Sequence, residues 1–299
     1  MEFGTACAGL AAGGALLGAG FFARSEYEKR CLETDRYVIH SPKIRGEGKT
    51  FVFLTDLHDM EFGERNRRLL AAVDREKPDA VLCGGDTIVA KGRGDLSVSL
   101  ALLGDLARKY PVFCGNGNHE NRLKRERGVY GDKYREYKAA LERMGIVYLE
   151  NGSAPFGGDF MIYGLDLPRE SYLPFHAVLP PGYIGKALGK EESGRFSILL
   201  AHSPMFFCEY ASWGADLSLC GHFHGGTIRL PVLGGVMTPQ YQFFCRWCAG
   251  FFRAGKEFPA MQRGPERERR MIAGRGLGTH SIRIRFNDKP QVVVVRVEK

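Results

Sequence analysis

Paired cysteines at zinc-finger spacing are missing from this sequence. Of its eight cysteines, Cys245 and Cys248 form a lone Cys-x-x-Cys with no second pair, which supports neither a zinc finger nor a redox pair. Cys83, Cys114 and Cys220 each end an apolar run just before a glycine, where a small buried residue packs well. We therefore predict free core thiols, as expected in a reducing compartment.

No lysine or arginine precedes the apolar N-terminal run, where a secretory signal peptide would carry one. The run from Gly4 to Ala23 is uncharged and about long enough to cross a bilayer as a helix, although its glycines and alanines make it only weakly apolar. Basic residues follow it. The sequence predicts a single-pass membrane anchor over residues 1–24, with the remaining chain on the cytoplasmic rather than the outer side. An uncleaved signal-like helix and an internal core helix are alternatives.

Internal repeats are also absent, and the chain has no low-complexity tract beyond the N-terminal run. Its 299 residues suffice for one large domain or two small ones; we assign 25–48 to a linker and opening strand and 49–299 to one domain. The net charge of +8 favours anionic partners such as phosphate esters, anionic lipid or nucleic acid. A basic groove with interleaved aromatic residues cannot be traced, so no specific nucleic-acid partner is predicted.

Strand and helix patterns alternate in the first half of the chain and give way to β-rich sequence, which predicts an α/β fold of sheets flanked by helices in layers. The predicted strands are Thr34–Ile44, Thr50–Thr55, Ala80–Cys83, Val112–Cys114, Ile146–Leu149, Phe160–Tyr163, Phe196–Ala201 and Leu217–Cys220. The predicted helices are Glu64–Lys77, Asp95–Lys109, the latter with an aspartate N-cap, and Tyr134–Met144. An antiparallel closing set is expected at Thr227–Leu230, Ser281–Phe286 and Val292–Val297.

Side chains that bind hard or borderline dications are concentrated in five short blocks, most of them at the end of an apolar run. Five of the eight histidines lie in these blocks. Carboxylate, imidazole and amide groups on loops at strand ends can converge on one cation. The blocks are Asp56-Leu57-His58, Gly84-Gly85-Asp86, Gly117-Asn118-His119-Glu120, His202 and Gly221-His222-Phe223-His224.

The spacing within two of these blocks sets a geometric condition. An extended strand would not bring the side chains of Asp56 and His58 to one metal ion. We expect them to share an ion only if the chain turns as the strand ends. The same condition applies to His222 and His224. Asp86 follows two glycines that let backbone approach closely, and its two carboxylate oxygens make it the best candidate for a ligand shared by two cations.

The ordered set of five blocks resembles the calcineurin-like metallophosphoesterase superfamily over roughly Thr50 to Lys299. The resemblance implies an α/β/β/α layered sandwich of two mixed sheets flanked by helices. Further local matches resemble the membrane-associated bacterial branch of that superfamily. They are Phe62-Gly63, Asn66, His224-Gly225-Gly226, Arg229-Leu230-Pro231 and Gly274-Arg275-Gly276-Leu277-Gly278.

The resemblance also implies a role for each motif residue and two divalent metal ions as cofactors, which could be manganese, iron, zinc or magnesium. In that family pattern His119 lies beside the phosphate without binding metal. Asp86 bridges the two ions. The first ion is held by Asp56, His58 and His224, and the second by Asn118, His202 and His222.

These roles predict a dimetal phosphoesterase that cleaves phosphodiester or pyrophosphate bonds by attack of a metal-bridging hydroxide. His119 then either hydrogen-bonds the charged oxygens or protonates the leaving group. The expected substrate is a phosphate ester, of a lipid or a nucleotide, near a membrane if the anchor holds. Alternatives are a phosphomonoesterase or nuclease with the same site, a catalytically inactive metal-binding scaffold, and a membrane protein in which metals only stabilise the fold.

Other polar residues have simpler interpretations. Glu120 is expected to cap a helix or to orient a ligand rather than to bind metal. His40, His176 and His280 lack motif context and are expected to be ordinary histidines.

Arginines are candidates for contacts with the substrate phosphate at two positions. Arg229 and Arg275 could reach it, but a salt-bridged surface arginine is the competing interpretation of each. The segment Tyr241–Arg270 is rich in aromatic residues, and arginines crowd its end, including Arg263 and Arg267. A solvated loop, a membrane-facing lid and a tolerated insertion all fit this segment.

Overall fold

A computed structural model describes residues 2–92, 94–191, 194–257, 268–279 and 282–299, and of residues 2–12 the backbone alone. The expectations for His280, Arg263 and Arg267 therefore lie outside the described residues, as does the first residue of the predicted strand Ser281–Phe286.

The α-helices are distributed along the whole described chain. They are α1 Glu2–Glu28, α2 Arg67–Glu76, α3 Ser97–Ala107, α4 Asn118–Arg125, α5 Arg127–Tyr130, α6 Lys133–Arg143, α7 Tyr183–Leu188, α8 Phe207–Trp213 and α9 Ala254–Glu257. Short 3-10 helices lie at Glu64–Asn66, Arg169–Tyr172, Pro204–Phe206 and His224–Gly226.

The strands are short, and five of these fourteen are buried at every residue. In chain order they are β1 Glu33–His40, β2 Lys49–Leu54, β3 Ala80–Cys83, β4 Val112–Gly115, β5 Val147–Leu149, β6 Gly152–Phe156, β7 Phe160–Leu165, β8 Phe196–Ala201, β9 Leu217–Cys220, β10 Arg229–Leu230, β11 Gly234–Gly235, β12 Gly250–Arg253, β13 Arg270–Ala273 and β14 Gln291–Glu298.

Two six-stranded sheets carry the fold, and both are mixed. The first has the order β1-β14-β2-β3-β4-β5, in which β14 is antiparallel to β2 and the other neighbours are parallel. The second has the order β12-β13-β9-β8-β7-β6, with parallel inner strands and antiparallel pairs at both edges. The predicted α/β fold with two mixed sheets is confirmed.

The sheets face each other across a core of aromatic and branched side chains. Phe51, Phe53 and Leu82 of the first sheet belong to one buried cluster with Phe160 and Ile198 of the second. A further cluster joins the outer face of the first sheet to α2, α3 and α6, and another joins the outer face of the second to α7 and α8. The layers therefore follow the order helix, sheet, sheet, helix.

The N-terminal run does form a helix, α1. Among the described residues, however, no helix combines the length and the apolar character that are needed to cross a bilayer. The predicted transmembrane anchor is not supported, and the small glycines and alanines of this run are the physical reason for its low apolarity.

The last turns of α1 are attached to the layered domain. Ser25 and Glu28 are buried. The Ser25 hydroxyl accepts the backbone N–H of Arg285 at 3.0 Å, and the Glu28 carboxylate accepts that of Asp288 at 3.2 Å. These residues, which the sequence assigned to a linker, therefore contribute to the folded body, and β1 is an edge strand of the first sheet.

The prediction of an antiparallel closing set of strands is wrong in part. β14 joins the first sheet as expected, but Thr227–Leu230 shortens to β10, which pairs with β11 in a separate two-stranded ribbon. Pro231 follows β10 directly and has no N–H with which to extend the pairing. Of the described part of 281–286, Phe286 forms one isolated parallel bridge, with Ile228.

Candidate metal centre

The five motif blocks lie in loops at the carboxyl ends of inner strands of the two sheets. Since parallel strands place these ends along one edge, the loops meet above the seam between the sheets. The blocks follow β2 (Asp56, His58), β3 (Asp86), β4 (Asn118, His119), β8 (His202) and β9 (His222, His224).

Sharp turns bring paired side chains of one block to the same point. Asp56 and His58 have φ of 52° and 47°, and His222 and His224 have φ of 67° and 47°. Left-handed conformations are costly for residues other than glycine and concentrate at functional sites. The expected turn after each of these strands is confirmed.

The turns bring together buried side chains in three overlapping sets that could each hold a metal ion, one of them His58, Asp86 and His119. The ligand atoms of Asp56, His58 and His224 lie within 4.8 Å of one another, and so do those of Asp86, His202 and His222. These are the two groups that the motifs predicted, apart from Asn118. The structure therefore brings six of the seven candidate ligands together in two adjacent clusters.

Asp86 lies between the two clusters. Its Oδ2 is 3.2 Å from His202 Nε2 and 3.8 Å from His58 Nε2, while its Oδ1 accepts the backbone N–H of His119 at 2.7 Å. Asp56 reaches across as well, with Oδ1 3.5 Å from His224 Nε2 and 3.6 Å from His202 Nε2. The two carboxylates are thus surrounded by imidazoles from both sheets.

Four polar atoms of the candidate second set have no hydrogen-bond partner among the described residues. They are Asn118 Oδ1, His202 Nε2, His222 Nε2 and Asp86 Oδ2, and all four atoms are buried. Leaving a buried polar atom unpaired costs about 1–3 kcal/mol. Amide oxygens, imidazole nitrogens and carboxylate oxygens are suitable ligands for a divalent cation, so the donor set fits a metal ion.

Backbone groups fix the orientation of the His202 ring. Its Nδ1 lies 2.8 Å from the carbonyl oxygen of Gly84, which can only accept, so the ring proton is on Nδ1. Nε2, 3.2 Å from Asp86 Oδ2, is the ring nitrogen left to bind a metal ion. This arrangement, in which a backbone carbonyl sets the tautomer of a ligand, is typical of metal-binding histidines.

Glu120 is a helix cap, as predicted, and also shapes the Asp86 loop. Its Oε2 accepts the backbone N–H of Gly117, the N-cap of α4, at 2.9 Å and that of Asp86 at 2.8 Å. Its Oε1 accepts the N–H of Thr87 at 2.9 Å. Burial, followed by the nearby Asp86 carboxylate, raises the pKa of Glu120 to about 7.

His119 lies next to both clusters, and its protonation is restricted by a backbone contact. The N–H of Ala90 donates to His119 Nδ1 at 2.7 Å, so Nδ1 must be unprotonated and the ring proton is on Nε2. Burial lowers the pKa of His119 to about 4, although the Asp86 carboxylate acts in the opposite direction. His119 is therefore a neutral hydrogen-bond donor.

The charges of the centre are those that favour cation binding. Burial on its own would raise the pKa of Asp56 and Asp86, but the surrounding imidazoles hold both below their usual range. Burial lowers the pKa of His222 to about 3, so its imidazole is neutral. For His202 the effect of the two carboxylates exceeds that of burial and raises the pKa. Two ionised carboxylates thus attract positive charge to this point.

Two glycines permit the close approach of these loops. A Cβ on Gly85, which has φ of +91°, would overlap the backbone nitrogen of Gly117. A Cβ on Gly221 would overlap the side chains of Thr55 and Asp56. Glycine is therefore required at both positions by space, and at Gly85 by backbone conformation as well.

Both candidate substrate arginines have partners within the protein. Arg275 Nη2 forms ion pairs with Glu33 at 3.0 Å and Asp35 at 3.5 Å, both on β1. Arg229 is half-buried and donates to the carbonyl oxygen of Gly225 at 3.0 Å. The ion pairs of Arg275 agree with its competing interpretation as a salt-bridged arginine, and its contact with the substrate phosphate stays a prediction.

One aromatic residue next to the centre was missed. Tyr172 packs edge-on against His222, with ring centroids 5.1 Å apart, and lies 6.1 Å from the ring of His202. It belongs to the 3-10 helix Arg169–Tyr172 in the part of the chain rich in glycine and proline. Without an apolar period or a motif around it, the sequence held no signal for this position.

The remaining local expectations are met by the described residues. Cys83, Cys114 and Cys220 are buried free thiols, and Cys245 and Cys248 are not joined. His40 and His176 are exposed.

The chain is similar to known proteins over most of its length. A family model described as calcineurin-like phosphoesterase matches residues 49–226. The chain is 27% identical over 296 residues to the uncharacterised metallophosphoesterase YkuE of Bacillus subtilis, covering 96% of this chain and 93% of that one. It is 28% identical over 252 residues to the phosphodiesterase YaeI of Escherichia coli, covering 82% and 81%. An uncharacterised metallophosphoesterase of Aquifex aeolicus is 24% identical over 285 residues, covering 92% and 95%.

Proposed function

The chain belongs to the calcineurin-like phosphoesterase family, and on that premise we propose that it is a dimetal phosphodiesterase. Hydrolysis of phosphoric esters follows from the family; the two cations and the diester or pyrophosphate bond are the proposal. The observation that carries it is the position of the Asp86 carboxylate between the two ligand clusters.

Seven side chains would hold the cations in this proposal. Asp56, His58 and His224 form one set; Asn118, His202 and His222 form the other, and Asp86 is shared. Two divalent cations so placed supply an activated water and neutralise charge on the phosphoryl oxygens. The unpaired Asn118 Oδ1 supports its place in the second set.

His119 would stabilise the transition state by donating a hydrogen bond. The Ala90 N–H occupies Nδ1, which leaves the proton on Nε2. A cationic ring would place an Nδ1–H against the donor of Ala90 and is therefore disfavoured. The hydrogen bond from Ala90 therefore supports the role in which His119 donates a hydrogen bond to a phosphoryl oxygen. It does not support the role in which His119 protonates the leaving group.

A diester is favoured over a monoester by the name of one relative. The Escherichia coli protein, which matches over 252 residues, is named a phosphodiesterase. The ligand set is compatible with either bond, so the choice rests on that relative.

The test uses the full-length protein, stripped of metal and reloaded separately with manganese, iron, zinc and magnesium. A p-nitrophenyl diester, a monoester and a pyrophosphate are compared. We expect metal-dependent hydrolysis with the diester or the pyrophosphate preferred, and two equivalents of bound metal by elemental analysis. A preference for the monoester, or a stoichiometry of one, would contradict the proposal.

Asp86→Asn provides the matched test of the shared ligand because it keeps the shape and removes the charge. We expect loss of at least one metal equivalent and of activity, with an unchanged far-ultraviolet circular dichroism spectrum. Asp132→Asn, at an exposed carboxylate before α6, is the control and should retain both metals. Normal turnover of Asp86→Asn would sink the shared-ligand assignment.

Membership in the membrane-associated branch stays a separate proposal. It rests on the resemblance of short segments such as Phe62-Gly63 and Gly274–Gly278. Flotation of the full chain with liposomes tests it, and a chain that stays at the bottom of the gradient at low and high salt contradicts it.

A further inference from the structure

An apolar pocket opens directly beside His224. Its volume is about 170 Å³, and its walls include the apolar residues Met237, Pro239, Tyr241 and Ile282, together with three threonines and Arg285. This is smaller than the roughly 300–1,000 Å³ that a whole drug-sized ligand occupies. Because a candidate metal ligand lines the pocket, its natural occupant is one substituent of a phosphate bound at the centre.

Exposed aromatic side chains lie on or near the segment that lines the pocket. Phe175 is 73% exposed and stacks on Tyr241 with ring centroids 5.4 Å apart. Phe243 and Phe244 are 63% and 50% exposed, and Ile282 is 45% exposed. Exposed apolar side chains grouped beside a site are typical of a surface that binds an apolar ligand.

The loop that forms one wall is held in place. The hydroxyl of Thr238 accepts the N–H of Gln242 at 3.2 Å, and the N–H of Phe244 donates to Val236 at 3.1 Å. The buried Gln240 amide donates to the carbonyl of Ser171 at 3.1 Å, in the 3-10 helix that carries Tyr172. The pocket is therefore preformed. Its loop is hydrogen-bonded to Ser171, the neighbour of Tyr172, which contacts the centre.

A second cleft, next to the apolar pocket, is polar. It is lined by His58 and shares Thr279 with the apolar pocket. It carries the cations Lys29, Arg30, Lys91 and Arg283 together with the acids Glu26, Asp59 and Asp95. A phosphate at the centre would thus have an apolar wall on the His224 side and a charged wall on the His58 side.

We propose that the pocket beside His224 binds an alkyl chain esterified to the scissile phosphate, so that the preferred substrate is an amphiphilic phosphodiester. This inference rests on the proposed function and specifies its substrate class. It also assigns a role to the aromatic segment that begins at Tyr241.

The test measures kcat/KM for p-nitrophenyl alkyl phosphodiesters with methyl, butyl, hexyl and octyl chains, each kept below its critical micelle concentration. Each methylene that enters the pocket should raise kcat/KM by about fourfold, until the pocket is full. If the methyl ester is hydrolysed with metal but the series is flat, the inference is overturned and the proposed function stands. If no ester is hydrolysed with any metal, the proposed function fails first.

Two variants and a control test whether the rise in kcat/KM with chain length arises in this pocket. Ile282→Glu places a charge in the wall, and Tyr241→Ser shortens the wall without a charge; both should reduce the increase per methylene to less than twofold. Val232→Glu exchanges a fully exposed apolar residue that does not line the pocket, and should keep the wild-type increase. An equal reduction in all three would overturn the inference.

A binding measurement without turnover completes the test. Saturation-transfer NMR with hexyl methyl phosphate and the metal-free full-length protein should show stronger transfer to the terminal methyl of the hexyl chain than to the ester methyl. Ile282→Glu should abolish the difference, and Val232→Glu should keep it. Equal transfer to both methyl groups in the wild-type protein contradicts an alkyl site.

Discussion

The carboxylate of Glu120 accepts the backbone N–H of Asp86, with Oε2 2.8 Å from the amide nitrogen. Because the same oxygen accepts the N–H of Gly117, one buried side chain joins the loop after β3 to the start of α4. The loop carries the candidate shared ligand, and the helix start carries Asn118 and His119. Glu120 thereby sets the relative positions of three candidate site residues without belonging to either ligand cluster.

Glu120→Gln should weaken metal binding and destabilise the fold. The amide group can replace only one carboxylate oxygen as acceptor, so either the Asp86 and Gly117 amides or the Thr87 amide and hydroxyl lose their partner. We expect metal affinity to fall by about 10- to 100-fold, as for other groups that orient ligands. Unfolding free energy should fall by about 2–4 kcal/mol. Calorimetric metal titration and urea unfolding measure the two effects.

The control is Glu126→Gln, at the end of the same helix. Glu126 pairs with Arg122 at 3.3 Å on the surface, where such a pair contributes about 0–1 kcal/mol. Equal effects of the two substitutions would show that Glu120 has no special role.

Gly85→Ala should prevent formation of the centre. The new methyl would overlap the backbone of Gly117, which cannot move without displacing α4, so a loss above about 4 kcal/mol is expected. Gly145→Ala separates this clash from backbone strain, because Gly145 has φ of +78° and no described heavy atom within 4 Å of the added Cβ. That control should cost about 1–2 kcal/mol. Urea unfolding measures the loss of unfolding free energy for both variants. If the two losses are similar, the effect of Gly85→Ala comes from backbone strain and not from the clash.

His119→Ala should lower kcat by about 10²–10³-fold, the cost of removing one hydrogen-bond donor to developing charge. Because the Ala90 N–H keeps His119 neutral, the loss should be the same for a p-nitrophenyl ester and for an ester with a poorer leaving group. Steady-state kinetics with both esters measures this ratio. A much larger loss with the poorer leaving group would restore the role of general acid. His176→Ala, at an exposed histidine, is the control.

The sequence predicts the parts of this centre that depend on strands and on the motifs at their ends. β2, β3, β4, β8 and β9 are short apolar runs buried on both faces, and each was predicted to within one residue. Their buried faces require hydrophobic residues, so the apolar pattern stops where the polar ligands begin.

Features that depend on a capping side chain or on residues far apart in the sequence could not be predicted from the sequence. The segment of α4 has one apolar residue, Leu123, and hence no helical period; its start depends on the contact of Glu120 with Gly117. The partners of Arg275 lie on β1, about 240 residues away in sequence. Pairing of this kind is set by the tertiary structure and has no local signal.

Arg285→Met should destabilise the fold by about 3–5 kcal/mol, because it leaves a buried carboxylate without its cation. The guanidinium of Arg285 is 1% exposed, donates to the carbonyl of Asp288 at 3.0 Å, and lies 3.5 Å from its Oδ2. It also donates to the carbonyls of Gly276 and Gly278, and the Gly278 N–H in turn donates to Asp56. Metal affinity should therefore fall with stability. Arg135→Met, at a 70% exposed arginine, should change neither in urea unfolding or metal titration.

The carboxyl group of Asp288 should make the free energy of unfolding fall as the pH rises. Burial raises the pKa of its carboxyl from 3.8 to about 6, although the Arg285 guanidinium acts in the opposite direction. Between about pH 4 and pH 6 the folded chain thus keeps a proton that the unfolded chain has released, so the contribution of this group to the unfolding free energy falls by about 3 kcal/mol, and is constant above. Asp288→Asn has no such proton. Urea unfolding from pH 4 to 7 should show the wild-type protein losing stability relative to Asp288→Asn across this window, whereas parallel curves would place the folded pKa near its ordinary value.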